Sequence, residues 1–166
     1  MNRSLAHRVD IHASDTINVL GPTVRFLLGP DEDRDAPCIM LSTIAPGIVI
    51  PLHSHPEPET ILAVTGQLEG LVETETGFEW IRLAPGDVFH VPAGGKHAFR
   101  NHWCEPAILL VTTTARQGRF FQEVGRIPPR STAKRRRFAE IAARYNHWLA
   151  SAAENFQIGI DLPAAA

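Results

Sequence analysis

No apolar run in this sequence approaches the ~18 residues a helix needs to cross a membrane. The first residues, Met1-Asn2-Arg3-Ser4-Leu5-Ala6-His7-Arg8, lack the apolar stretch of a secretory signal. Cysteine is scarce: Cys38 and Cys104 are the only two, too few and too far apart for a disulfide framework or a paired-cysteine zinc site. Both are expected to be buried apolar residues with reduced thiols, and the simplest compartment is the cytoplasm. Net charge is nearly absent, −2 over 166 residues, so no global field draws the chain to nucleic acid or to an anionic membrane. Disorder is excluded as the whole answer, because 44% of the residues are hydrophobic. That content suffices for a core without disulfide or metal staples.

Proline and glycine are abundant up to about residue 115. Gly21-Pro22, Gly29-Pro30, Pro46-Gly47, Pro85-Gly86 and Pro92-Ala93-Gly94-Gly95 separate short runs of β-forming residues. The runs at 23–28, 39–44, 61–65, 68–74, 78–83, 88–91 and 108–114 predict strands. Many short strands at regular spacing predict a sandwich or barrel. The acidic run at 31–35 reads as an exposed loop.

After residue 115 the pattern changes. Pro128 and Pro129 separate a short segment at 117–124 from a longer one. In the longer one Phe138, Ile141, Ala142, Tyr145, Leu149 and Ala152 recur at helical spacing. Arg136, Arg137, Glu140, Arg144 and His147 fall mostly on the other faces. The expectation is an amphipathic helix docked on the strands. The basic run Arg126, Arg130, Lys134, Arg135, Arg136 and Arg137 reads as a solvated helix start rather than a nucleic-acid patch.

The residues with the most chemistry lie between Gly47 and Asn101. In a strand, residues two apart share a face, so His53 and His55 present two imidazoles roughly 7 Å apart at Cα. Pro51, Pro56 and Pro58 suppress helix around them. Glu59 opens the next strand and can return a carboxylate to the same ion. A later segment, 86–101, reads as turn, strand, Pro/Gly hairpin and a second strand carrying His97. One imidazole from it would complete a set of three nitrogens and one oxygen, which suits Fe, Mn, Ni, Co or Zn. Four protein ligands on an octahedral ion leave positions open for substrate or dioxygen. A His-x-His pair alone is common without a metal; the two glycine-framed segments together are far more specific.

These segments resemble the two motifs of the cupin superfamily. The first runs Gly, five residues, His-x-His, three residues, Glu, six residues, Gly, and is matched by Gly47, His53, His55, Glu59 and Gly66. The second runs Gly, five residues, Pro-x-Gly, two residues, His, three residues, Asn, and is matched by Gly86, Pro92, Gly94, His97 and Asn101. The stretch between them, 67–85, has room for a hairpin. The resemblance covers roughly residues 20–114. It implies a mostly β fold, a small antiparallel jelly-roll barrel over 1–115, with 116–166 as a helical C-terminal extension packed on it. It also implies one divalent metal ion held by His53, His55, Glu59 and His97. Glu57 is the competing carboxylate; the family spacing favours Glu59, leaving Glu57 as an acceptor behind the ligands or a solvated charge. Asn101 is expected to tie down a turn.

Strand alternation places Val49 and Pro51 on the face of His53, Ile61, Ala63 and Thr65 on that of Glu59, and Phe99 and Asn101 on that of His97. The expected substrate pocket therefore includes Val49, Ile61, Ala63, Phe99 and Asn101 and has no Lys or Arg at an inward position. Such a lining suits a neutral or aromatic, oxygen-rich small molecule rather than a sugar phosphate, which needs cations. The functional expectation is a metal-dependent dioxygenase in which Glu59 could also serve as a base. The alternatives are a non-redox isomerase, polyketide cyclase or lyase, and a non-enzymatic binding or sensor domain. His90 is either an acid/base group near the site or a surface histidine. Leu62 and Val64 are apolar outer positions that the tail helix or a second subunit, in a homodimer, would cover.

Overall fold

The computed structural model describes residues 6–12, 14–30, 37–128 and 133–162. The acidic run at 31–35, Pro129 and Arg130 lie outside the described residues. Among the described residues, ten strands precede the first helix: β1 (Thr16–Asn18), β2 (Thr23–Leu28), β3 (Cys38–Ile44), β4 (Val49–Ser54), β5 (Glu59–Thr65), β6 (Leu68–Thr74), β7 (Gly77–Leu83), β8 (Val88–Val91), β9 (His97–Arg100) and β10 (Ala107–Thr113). The seven runs expected from composition all form strands, with ends shifted by at most two residues. Helices α1 (Ala115–Gly125) and α2 (Lys134–Arg144), a two-residue strand β11 (Trp148–Leu149) and helix α3 (Ala152–Gln157) follow.

The strands pair antiparallel in two sheets, one ordered β1-β2-β3-β10-β5-β8 and the other β11-β4-β9-β6-β7. Burial alternates residue by residue along β3 and β10, as the two-residue period of a strand with one covered face requires. The interior joins Met40, Ile44, Leu109 and Val111 of the first sheet to Leu68 and Phe99 of the second. The sheets thus pack face to face around one apolar core.

Gly66 turns the chain between β5 and β6. Its φ is +68°, and a Cβ there would lie 2.2 Å from the Pro106 carbonyl oxygen. Only glycine fits, because both the backbone conformation and the close approach exclude a side chain.

The tail departs from the single amphipathic helix that its spacing predicts. Helix α2 stops at Arg144, and Asn146 adopts the left-handed conformation at φ +58°. Leu149 therefore sits on a strand. β11 pairs with β4, opposing Trp148 to Ser54 and Leu149 to His53. Ser151 then opens α3 with a capping box to Glu154, a signature legible as Ser-x-x-Glu.

The segment is fastened from inside. Asn155 is fully buried; its Oδ1 accepts from Leu52 N at 2.9 Å and its Nδ2 donates to the carbonyls of Ala150 and Ser151. Trp148, Ala150, Ile158 and Ile160 cover Leu52, Leu71 and Ala98 on the outer face of the second sheet. Helices α1 and α2 form a separate apolar cluster around Phe120, Val124 and Ile141 that reaches Val19 and Leu20.

The tail does not cover the outer face of β5: Val64 remains 42% exposed. Cys38 is buried as expected, but Cys104 is exposed, in the loop after β9. No helix among the described residues is long and apolar enough to cross a membrane.

Candidate metal centre

Three imidazoles meet inside the second sheet. His53 on β4 stands directly opposite His97 on β9, and His55 follows one residue beyond the end of β4. Ring centroids are 4.2 Å apart for His53 and His97, 5.0 Å for His55 and His97, and 5.8 Å for His53 and His55. One ring nitrogen from each lies within 4.8 Å of the other two.

The backbone fixes the tautomers. Each Nδ1 faces a carbonyl oxygen: His53 that of Pro51 at 2.8 Å, His55 that of Glu57 at 2.7 Å, and His97 that of Gly95 at 3.0 Å. A carbonyl only accepts, so each Nδ1 carries the proton and each Nε2 keeps a lone pair. This is the arrangement in which outer hydrogen bonds orient imidazoles for a metal. Burial pushes the pKa of all three down, that of His53 to about 4, so they are neutral, with the free nitrogen unprotonated, near neutrality.

Glu59 comes from β5 on the facing sheet. Its Oε2 is 3.8 Å from His55 Nε2. Burial raises its pKa to about 7; the Gln117 amide opposes that rise and the charge of Glu57 adds to it. His55 Nε2 and Glu59 Oε1 are both buried and without a hydrogen-bond partner. An orphaned acceptor nitrogen beside an orphaned carboxyl oxygen is costly in a protein interior, and a divalent cation would satisfy both. The donor set fits such an ion.

The atoms that lie within 4.8 Å of one another belong to the three histidines alone; Glu59 approaches them at His55, and Glu57 makes no ion pair with them. Its buried carboxylate pairs with Arg116 of α1, while its backbone carbonyl holds His55. It is therefore an acceptor behind the imidazoles rather than a solvated loop charge. Asn101 ties down a turn: its Nδ2 donates to the carbonyls of Ile44 and Glu105, and its Oδ1 accepts from Trp103 N. His90 points outward on β8 and meets Thr60 Oγ1 at 3.1 Å. His102 stacks on Trp103 with centroids 4.1 Å apart, and neither ring borders the cavity beside the histidines.

The cluster opens into a cavity of about 470 Å³. Val49, Ile61 and Phe99 line it, as alternation predicts; Ala63 and Asn101 do not. Ala63 is packed into the apolar core, and the Asn101 amide is used up by its turn. Thr65 is exposed at the end of β5.

Polar residues that sequence reasoning missed also line it: Ser42 of β3 and, from the tail, Gln117, His147 and Arg135. Gln117 is 1% exposed; Thr114 caps α1 by accepting from Gln117 N at 3.3 Å. The Thr-x-x-Gln spacing was the available signal for that helix start. With the Gln117 amide group turned to Glu59, its Oε1 accepts from His147 Nε2 at 3.1 Å.

His147, expected on a polar helix face, instead lies beyond the break at Asn146. Its ring stands 5.1 Å from that of His55 and 3.9 Å from that of Phe120. Burial and the neighbouring His55 lower its pKa to about 3. No local pattern signals this residue, because its position depends on one left-handed backbone angle. Arg135 of α2 also borders the cavity, against the expectation of a lining without cations.

A family profile for the cupin domain matches residues 40–113. No curated protein sequence matches the chain. Among solved structures, the polyketide cyclase RemF from Streptomyces resistomycificus aligns with a TM-score of 0.57 at 19% identity, over 66% of this chain and 80% of that one. A cupin-superfamily sugar phosphate isomerase from Silicibacter pomeroyi aligns with a TM-score of 0.54 at 22% identity, over 65% and 75%. An oxalate decarboxylase variant from Bacillus subtilis aligns with a TM-score of 0.54 at 18% identity, over 68% of this chain but 30% of that one. Identities this low carry the fold and leave the reaction open. The matched stretch, 40–113, holds all three histidines and Glu59, and over it the chain carries a cupin domain.

Proposed function

We propose that this cupin is a metal-dependent enzyme, a dioxygenase acting on a small, oxygen-bearing substrate with an apolar or aromatic body. The observation that carries the proposal is the convergence of three neutral imidazoles and a buried carboxyl on a cavity of about 470 Å³ with a largely apolar wall. In this reading His53, His55, Glu59 and His97 hold one divalent ion, Fe, Mn, Ni, Co or Zn, within a jelly-roll barrel. When bound, the ion supplies a Lewis acid for substrate oxygens and, if redox-active, a route for electrons to dioxygen. The wall of Ile61, Phe99, Leu109 and Phe120 takes the apolar body and excludes water. Without the ion, burial raises the pKa of the Glu59 carboxyl to about 7; a bound cation would favour its carboxylate form. Gln117 orients that carboxyl, and neutral His147 supplies an acceptor nitrogen.

The test is oxygen consumption by Fe, Mn, Ni and Co forms with phenols, diketones and flavonols. Uptake that depends on His97 supports the proposal; no uptake by any form opposes it. A second reading is favoured by the Glu59–Gln117–His147 chain, whose groups suit proton transfer without redox chemistry. In it the protein is a cyclase, isomerase or lyase, and the similarity to a polyketide cyclase adds a substrate class to try. Zinc as the native ion, with turnover that consumes no oxygen, would select it. Tight ligand binding without turnover would leave a binding domain.

The proposal extends to a cytoplasmic homodimer. The outer rows Ile39-Leu41-Thr43, Ile108-Leu110-Thr112 and Thr60-Leu62-Val64 carry no charge, so two copies can meet there without burying an unpaired ion. Light scattering at twice the 18.3 kDa chain mass supports this; a monomer mass opposes it.

A further inference from the structure

Among the described residues the cavity wall contains one cation, which neither the metal centre nor the apolar core accounts for. Arg135 borders it from the first turn of α2 while remaining solvent-exposed, which places its side chain at the mouth. Two nearby cations are matched: Arg136 lies 3.8 Å from Glu140, and Arg144 pairs with Glu123; Lys134 makes no ion pair among the described residues but does not border the cavity. Arg137 shares a groove with both of those carboxylates. Among the described residues Arg135 makes no ion pair.

Helix stability does not explain it either. Lys134, Arg135, Arg136 and Arg137 open a helix whose first turn has no acidic residue and whose start has no side-chain cap. Cations at that end oppose the helix dipole. A local rule broken without local compensation is expected where function requires it.

We infer that Arg135 is a specificity determinant and that the substrate is an amphipathic anion. Its apolar body fills the cavity, and one acidic head, a carboxylate, pairs with the Arg135 guanidinium at the mouth. A planar guanidinium matches a carboxylate through two parallel hydrogen bonds. The inference rests on the proposed function only for the placement of the reacting end at the histidines. It revises the neutral substrate that the inward strand residues suggest, because those residues do not include α2.

The test reads binding in the full-length chain, with two fluorescent dyes of one skeleton. 1-Anilinonaphthalene-8-sulfonate carries an anionic group and N-phenyl-1-naphthylamine does not. Arg135→Gln is expected to weaken the sulfonate about tenfold and to leave the neutral dye unchanged. Arg136→Gln, one residue along the same helix, is expected to match wild type for both dyes. In wild type, 2-naphthoate should displace the sulfonate dye at lower concentration than 2-naphthamide, and Arg135→Gln should erase that difference. The inference is overturned if Arg135→Gln leaves the sulfonate affinity intact, if both dyes weaken equally, if neither dye binds, or if the acid and amide displace alike. Metal content of the same samples is read separately. A protein without metal that still prefers the acid would sink the metal reading and keep this one.

Discussion

The two sheets and the tail contribute to the same cavity by different physical means. The sheets supply the three histidines and Glu59 from positions fixed by strand period and cross-strand register, with His53 and His97 as direct partners. The tail supplies Gln117, His147 and Arg135 through a helix cap, a chain reversal at Asn146 and a two-residue strand. The first set lies within two motifs of readable spacing, and the second is placed by a cap, a reversal and a pairing that no motif records. The sheet part is therefore suited to define which ion binds, and the tail to define what meets it.

That division can be stressed most severely at Gly66. Replacement by Ala places a Cβ 2.2 Å from the Pro106 carbonyl at a φ of +68°. The expected cost is on the order of 4 kcal/mol, read as a loss of folded protein or a collapse of the urea midpoint. Gly94→Ala, at φ +78° with open space around it, should cost only about 1 kcal/mol.

A sharper cut separates chemistry from metal retention. His147→Phe should lower turnover about a hundredfold, the low end for a lost acid/base group, while the bound metal stays at the wild-type level. A parallel loss of metal would show that the tail builds the ion site as well.

Next comes the fastening of the tail. Asn155→Ala strands the Leu52 N–H inside the protein, at a cost of about 2 kcal/mol. For a chain of this length that corresponds to a fall in Tm of about 4–8 °C. The smallest effect is expected at His90, which faces outward. His90→Ala should change stability by less than about 0.5 kcal/mol and leave metal content and turnover untouched.

The same division explains what was legible in the sequence. Proline and glycine mark strand ends directly, so seven strands could be read within two residues of their bounds. The ligand candidates follow from the two-residue strand period and from motif spacing. The tail misled because Leu149 and Ala152 continue the helical spacing of Phe138 and Ile141, while a single left-handed residue between them redirects the chain. His147 therefore looked solvated, and Arg135 looked like one charge in a solvated run. Ala63 and Asn101 were assigned to the pocket by alternation alone. Alternation says which face a residue occupies, but not whether core packing or a turn has already claimed that face.

The most direct measurement is metal content by mass spectrometry, on protein purified without a nickel column, for wild type, His97→Ala and His147→Ala. The account predicts close to one divalent ion per chain in wild type and His147→Ala, and none in His97→Ala. Equal metal in wild type and His97→Ala, or no metal in wild type even after reconstitution, would contradict it.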